Sequence, residues 1–143
     1  MPVSLRSFEL AIDKALEGIE TDANTFKRHV ALDLLTRIVE KTPVDTGRAR
    51  ANWQVSVNAP ETTQVSYRND KHINAERDES GVMSKVIGEG GMVIESVELG
   101  EDIFITNNLP YIEVLETGDH SDQAPQGMVA LSVAEVNEGF IKI

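Results

Sequence analysis

Residues able to do acid–base or ligand chemistry are few and scattered along this chain. The 3 histidines, His29, His72 and His120, include no pair at the spacing that sets two imidazoles on one helix face. The densest group of ligand-type atoms is Asp119-His120-Ser121-Asp122. Hard or borderline cations accept such groups, so a small metal-dependent hydrolase using Asp119, His120 and Asp122 is one reading, and a solvated turn is the other. Glu113 and Glu116 stand one helical turn apart, as paired acids for proton transfer or as an exposed helix face. Gly88-Glu89-Gly90-Gly91 has the glycines of a phosphate loop but not its Lys-Ser/Thr end, and its carboxylate would repel phosphate. No G-x-S-x-G elbow is present, and 0 cysteines remove thiolate nucleophiles and disulfides. The pattern points away from an enzyme: no catalytic, metal or cofactor-binding residue is expected.

Charge narrows the classes of partner. Lys plus Arg total 13 against 24 Asp plus Glu, a net charge of −11. Residues 1–85 hold 12 basic and 13 acidic side chains, whereas Val86 to Ile141 contains 11 carboxylates and no Lys or Arg. A nucleic acid held by its phosphates needs clustered cations, and so does an anionic membrane surface; neither is expected as a binding partner. No apolar run is long enough to span a bilayer, and the N-terminus lacks the apolar core of a signal peptide, so synthesis and retention in the cytoplasm are expected.

The elements follow from periodicity. Phe8, Ile12, Leu16, Ile19, Ala23, Phe26, Val30, Leu34 and Ile38 recur in steps of three or four, one face of an α-helix. Ser4 is a candidate N-cap and Pro43 a stop near Lys41. Thr21-Asp22-Ala23-Asn24 is weak in helix propensity, but the apolar phase runs through it, favouring one long helix over a hinged pair. Such a helix, roughly 36 residues, is about 54 Å long. A compact body of this chain length is roughly 35–40 Å across. The helix therefore overhangs its own body, and Phe8, Ile12 and Leu16 need another subunit to cover them.

Thr42 to Gly47 reads as a turn. Ala51, Trp53, Val55 and Val57 alternate with polar residues as a half-buried strand, with Thr63–Tyr67 as its expected partner. Asn69–Ser80 reads as an exposed loop, Gly81–Gly100 as a helix weakened by glycines, and Asp102–Thr106 as a central strand. Pro110 opens a short helix, Tyr111–Thr117, closed by Gly118; Val129, Val133, Val136 and Phe140 form a last helix after Pro125. The expected fold is α+β in one domain, 1–143: a long N-terminal helix over 1–41, then a body of small antiparallel sheet and two or three shorter helices.

Two segments stand out for their density of turn, aromatic and charged residues. One is Thr42-Pro43-Val44-Asp45-Thr46-Gly47-Arg48-Ala49-Arg50-Ala51-Asn52-Trp53. The other runs Ile105-Thr106-Asn107-Asn108-Leu109-Pro110-Tyr111, then Leu115-Glu116-Thr117-Gly118, then Gln123-Ala124-Pro125-Gln126-Gly127-Met128-Val129. Together they resemble the tailed-bacteriophage neck and tail-completion family, which includes minor tail protein Z-like head–tail connector proteins. The resemblance spans Thr42 to about Val136; the Asn69–Ser80 loop and the Gly88–Gly91 stretch lie outside it.

That resemblance implies a structural virion protein forming a homo-oligomeric ring at the head–tail junction. It would touch portal-side connector and tail-tube proteins, with genomic DNA passing through without sequence readout and no membrane involved. A tail terminator or tube-assembly factor is the alternative. Arg48 and Arg50, two apart at the expected strand start, would project to one face and reach a neighbour's carboxylates, or Arg48 would pair with Asp45 in its own turn. Tyr111 suits either core or interface, and Glu113 and Glu116 join it as interface candidates. Pro43, Asp45, Gly47, Trp53, Asn107, Asn108, Pro110, Gly118, Pro125 and Gly127 are expected to be structural, with Asn107 and Asn108 ending the strand and capping the next helix.

Overall fold

The computed structural model describes residues 5–44, 47–67, 81–117 and 127–141. Helix α1 runs unbroken from Leu5 to Lys41, a single rod through Thr21–Asn24 with no hinge. A tertiary contact supports that weak stretch: Asn24 donates to the Val97 carbonyl at 3.0 Å, and Arg28 donates to the same oxygen. Lys27 donates to the Glu101 carbonyl at 2.6 Å. These carbonyls lie just beyond the end of α3 (Val82–Glu95). One amide and two cationic side chains of α1 therefore supply donors to the carbonyls of the loop that follows α3.

Past α1 the chain turns at Gly47, whose φ of +97° only glycine adopts without strain, into the single turn α2 (Arg48–Ala51). Strand β1 (Trp53–Val57) comes next, then α3, strand β2 (Ile103–Asn107), α4 (Ile112–Glu116) and α5 (Val129–Ile141). The α+β class with a long N-terminal helix is therefore as expected. Ser4, Asp45, the 69–80 loop, Gly118, Asp119, His120, Asp122 and Pro125 lie outside the described residues.

The sheet corrects the expected pairing. Strand β1 pairs antiparallel with β2, Trp53 opposite Asn107 and Val57 opposite Ile103. With two strands in the described sheet, β2 is an edge strand and not a central one. Residues 63–67 run beside β1 without joining the ladder. Side chains take over the ladder's role there: Gln54 donates to the Thr63 carbonyl at 2.7 Å, and the Asn52 side-chain oxygen accepts from the Val65 amide at 2.8 Å.

The core lies where the inner end of α1 crosses α3 and β1. Leu35, Ile38 and Val39 of α1 meet Val86 and Ile94 of α3, Trp53 of β1 and Met128. Close approach is possible because α3 carries Gly90 at the crossing. A Cβ there would sit 2.5 Å from a Leu35 methyl and 2.9 Å from a Val55 methyl. The glycine that lowers helix propensity in the sequence is what lets α3 seat. On the other side, Glu135 of α5 bonds Arg37 at 2.5 Å and Lys41 at 2.9 Å, tying α5 to α1. The Lys41 ammonium, against the opposing effect of burial and with Arg37 adding to it, holds the Glu135 carboxyl below its ordinary pKa.

Gly90→Ala is expected to destabilise the fold by roughly 1–3 kcal/mol through overpacking. Gly88 has nothing within 4 Å of the added methyl, so Gly88→Ala is expected to stabilise by about 0.5–1 kcal/mol. Urea unfolding of the two variants checks both signs.

Candidate assembly surface

The first sequence motif folds into a buried knot at the C-terminal end of α1. Pro43 ends the helix, leaving carbonyls of the last turn without helical partners. Arg50, 5% exposed, supplies them: its Nε donates to the Thr42 carbonyl at 3.1 Å and an Nη to the Glu40 carbonyl at 2.9 Å. Thr42 bonds back to the Ile38 carbonyl at 2.7 Å and its hydroxyl accepts from the Trp53 indole at 2.8 Å. Fully buried Asn52 donates to the Arg48 carbonyl at 2.9 Å while accepting from Val65, so it joins α2 to the 63–67 segment.

Arg48 and Arg50 accordingly do not share a face. They sit in the turn of helix α2 and not at a strand start, and two helical residues are about 200° apart. Arg50 points inward and is unavailable to a neighbour. Arg48 is exposed, with an Nη donating to the Gln64 side chain at 3.0 Å.

The second motif closes on the first and on α5. Asn107 donates to the Ala49 carbonyl at 2.9 Å and accepts from the Leu109 amide at 3.2 Å, so it ends β2 and ties it to α2. Asn108 donates to the Glu61 and Thr63 carbonyls at 2.8 and 3.0 Å. Neither asparagine caps α4. Tyr111 occupies that N-cap without a side-chain bond, and it stands 37% exposed on the surface.

Glu113 and Glu116 do not act as a pair either. Glu113 is exposed, whereas Glu116 caps α5: its carboxylate accepts from the Met128 and Val129 amides at 2.9 Å and from Ala130 at 3.0 Å. Burial alone would raise the Glu116 pKa, but the amides of Ala130, Val129 and Met128 overcome it and hold the carboxyl below its ordinary value. Gly127, with φ of +80°, is required at this cap because a Cβ there would run into the Glu116 backbone and carboxylate.

The outer half of α1 presents an exposed apolar stripe. Every described side chain from Ala11 to Ala23 is exposed. Ile12 is 43%, Leu16 52%, Ile19 65% and Phe26 56% exposed, so the overhang expected from the helix length is present. The side chain of Phe8 lies outside those described. Ile19 and Phe26, the most exposed of the series, extend the same stripe inward beyond the three residues expected to need a covering subunit.

Helix α1 has two apolar faces, not one. Its core face is Ala31, Leu35, Ile38 and Val39, of which only Ile38 belongs to the expected series. Ile12, Leu16, Ile19, Ala23 and Phe26 point about 120° around the helix from that face. Continuing outward along the core face, the helix instead bears Glu17, Glu20, Thr21 and Asn24, which line a shallow polar hollow with Arg28, Glu98 and Leu99.

The acidic C-terminal part is not one continuous unpaired surface. Glu116 caps α5 and Glu135 bridges to α1, and Glu101 accepts from the Glu98 amide at 2.8 Å and from the Asn58 side chain at 3.1 Å. Glu89, Glu95, Glu98, Asp102, Glu113 and Glu138 remain exposed. Among the described residues, no group of three or more His, Asp or Glu side chains is placed to hold a metal ion. A cleft of about 370 Å³ lies between β1, the 61–67 segment and α3, apolar at Val55, Tyr67 and Val86 with Lys85 and Glu89 beside them. No family model, no curated protein and no solved structure matches the chain.

Arg50→Ala is expected to cost about 3 kcal/mol, since buried carbonyls lose charge-assisted donors. Arg50→Lys is expected to recover little of this, because an ammonium cannot reproduce the guanidinium fork. Chemical unfolding measures both. For Glu116, a depressed folded-state pKa gives stability that is present above the unfolded-state pKa and is lost as pH falls through the folded value. Glu116→Gln is therefore expected to lower Tm at neutral pH, with the gap to the parent narrowing as pH falls below the normal carboxylate range.

Proposed function

We propose that this chain is a structural component of a tailed-bacteriophage virion. In this reading it is a ring-forming subunit at the head–tail junction, where the ring completes the neck or tail around the DNA channel. The part it plays is mechanical and not catalytic. The observation that carries the reading is the outer half of α1, whose Ile12, Leu16 and Ile19 are displayed on a face that its own body does not cover. Exposed apolar surface that is contiguous and ordered on a helix marks an interaction site.

Two further features support it. The motif residues that resemble the neck and tail-completion family form the folding framework of the body, leaving the overhanging helix and Arg48 for neighbours. Head-to-tail contact between different patches of identical chains closes into a ring when the rotation permits. The exposed carboxylates Glu89, Glu95, Glu98, Glu113 and Glu138 would repel phosphates, which suits DNA that must slide without sticking. Portal-side connector and tail-tube proteins are the adjoining partners in this reading, and the virion is where the protein resides. Among the described residues no helix is long and apolar enough to cross a membrane.

The test is mass and location. Assembled particles should contain the chain at the neck in multiple copies, and the purified protein should self-associate as its concentration rises. Leu16→Asp is expected to shift the assembled species toward the 15.7 kDa monomer while leaving circular dichroism unchanged. A protein monomeric at every concentration and absent from virions overturns the proposal.

A further inference from the structure

A second uncovered apolar face lies on α5. Between Val129 and Val136 this helix carries one charged residue, Glu135, and one other polar residue, Ser132. Both are used within the chain: Glu135 bonds Arg37 and Lys41 of α1, and buried Ser132 donates to the Met128 carbonyl. Together with buried Val136 they mark the side of α5 that packs on its own body. The outer side is apolar as well. Val129 and Val133 are 36% and 41% exposed, and Ala130 and Ala134 beside them are also exposed. A helix that is apolar around its whole circumference belongs in a buried setting.

The chain therefore displays two different apolar helical faces. One is the α1 stripe through Ile12, Leu16, Ile19 and Ala23, and the other is the outer side of α5. We infer that the two cover each other between copies, the outer half of α1 of one copy lying across the outer side of α5 of the next. The inference rests on the ring proposed for this chain and deepens it by naming the joint. Contact between two unlike patches is head-to-tail, so each copy gives one helix, receives one, and the same joint repeats around the ring. Stripe against stripe, or α5 against α5, is a two-fold contact that stops at two copies.

Length, area and charge agree with this pairing. The stripe from Ile12 to Ala23 is about 17 Å long and α5, with 13 residues, about 20 Å. The chain's own α5 meets α1 at Arg37, about 21 Å inward of Ala23, and extends about 9 Å to either side of Glu135. It therefore leaves the stripe clear for the incoming helix. The two faces expose roughly 600 Å² of apolar surface, and interfaces are a little more than half apolar, so the joint buries about 1,000 Å², enough for a specific contact.

Glu9, Asp13, Glu20 and Asp22 flank the stripe. The α5 face sets no free carboxylate against them from Val129 to Asn137, since Glu135 is turned to Arg37 and Lys41. A second α1 stripe would bring carboxylates against carboxylates, an unfavourable juxtaposition.

The chain has 0 cysteines, so introduced thiols report the joint directly. Leu16→Cys and Val133→Cys are made separately and also together in one chain, circular dichroism checks that the fold is kept, and the assembled protein is oxidised. The two positions of one chain cannot bond each other, because Glu135, two residues on from Val133, meets α1 at Arg37, about 30 Å from Leu16. A mixture of the single variants is expected to give the 16–133 disulfide about tenfold in excess of either self-dimer, as the high effective concentration at a matched joint demands. The double variant is expected to give a ladder of covalent multimers. Self-dimers of either single variant as the main product overturn the inference in favour of same-face pairing. Oligomers of unchanged mass whose double variant forms no disulfide also overturn it, while leaving the ring reading standing. A chain that is monomeric throughout removes both.

Discussion

The ending of α1 determines most of the architecture beyond it. A helix stopped by proline leaves carbonyl groups that must find donors, and here a buried guanidinium from eight residues further on provides them. Once Arg50 is committed to Thr42 and Glu40, α2 is fixed under the end of α1 and Trp53 is delivered to the core with its indole on the Thr42 hydroxyl. Strand β1 starts at that tryptophan, β2 pairs with it, and Asn107 returns to the Ala49 carbonyl to close the circuit. Polar groups buried this deeply destabilise unless all of them are satisfied, so the knot specifies one arrangement as well as holding it.

The same logic recurs at smaller scale, where backbone groups left over by helix ends and loops are satisfied from distant elements. Asn24, Lys27 and Arg28 of α1 serve carbonyls of the loop after α3, and Glu116 serves the amides of α5. These crossings are long in sequence and short in space. They tie the body together, while the side chains of α1 from Ala11 to Ala23 stay exposed.

The continuity of α1 is legible in the sequence because an apolar phase that does not slip is a strong signal even across poor helix formers. Which face is core is not legible. Between Val30 and Val39 apolar residues cover most of the helix circumference, so a series in steps of three and four can be threaded through either face. The strand over 53–57 is visible as alternation, but its partner is not. Residues 63–67 alternate as well as 103–107 do, and only side-chain bonds from Asn52 and Gln54 decide that the nearer segment stays out of the ladder. Reading Arg48 and Arg50 as a strand-borne pair fails because it extends alternation backward across Asn52, past a turn that Gly47 and two alanines make helical. Glu113 and Glu116 look like a pair by spacing, and nothing local to them reveals that an amide cluster thirteen residues on claims one of the two.

A rigid rod held at one end converts small rotations into large displacements. The described part of α1 is 37 residues, and its side chains from Ala11 to Ala23 are all exposed. Among the described residues the last bond to the body along α1 is at Asn24, so the free part, Leu5–Ala23, is about 28 Å, and a tilt of about 10° at that anchor moves the far end by about 5 Å. A subunit built this way can keep its body unchanged and still meet a neighbour whose position varies by the width of a side chain. Dimensional tolerance then resides in the anchoring point, not in the gripping surface.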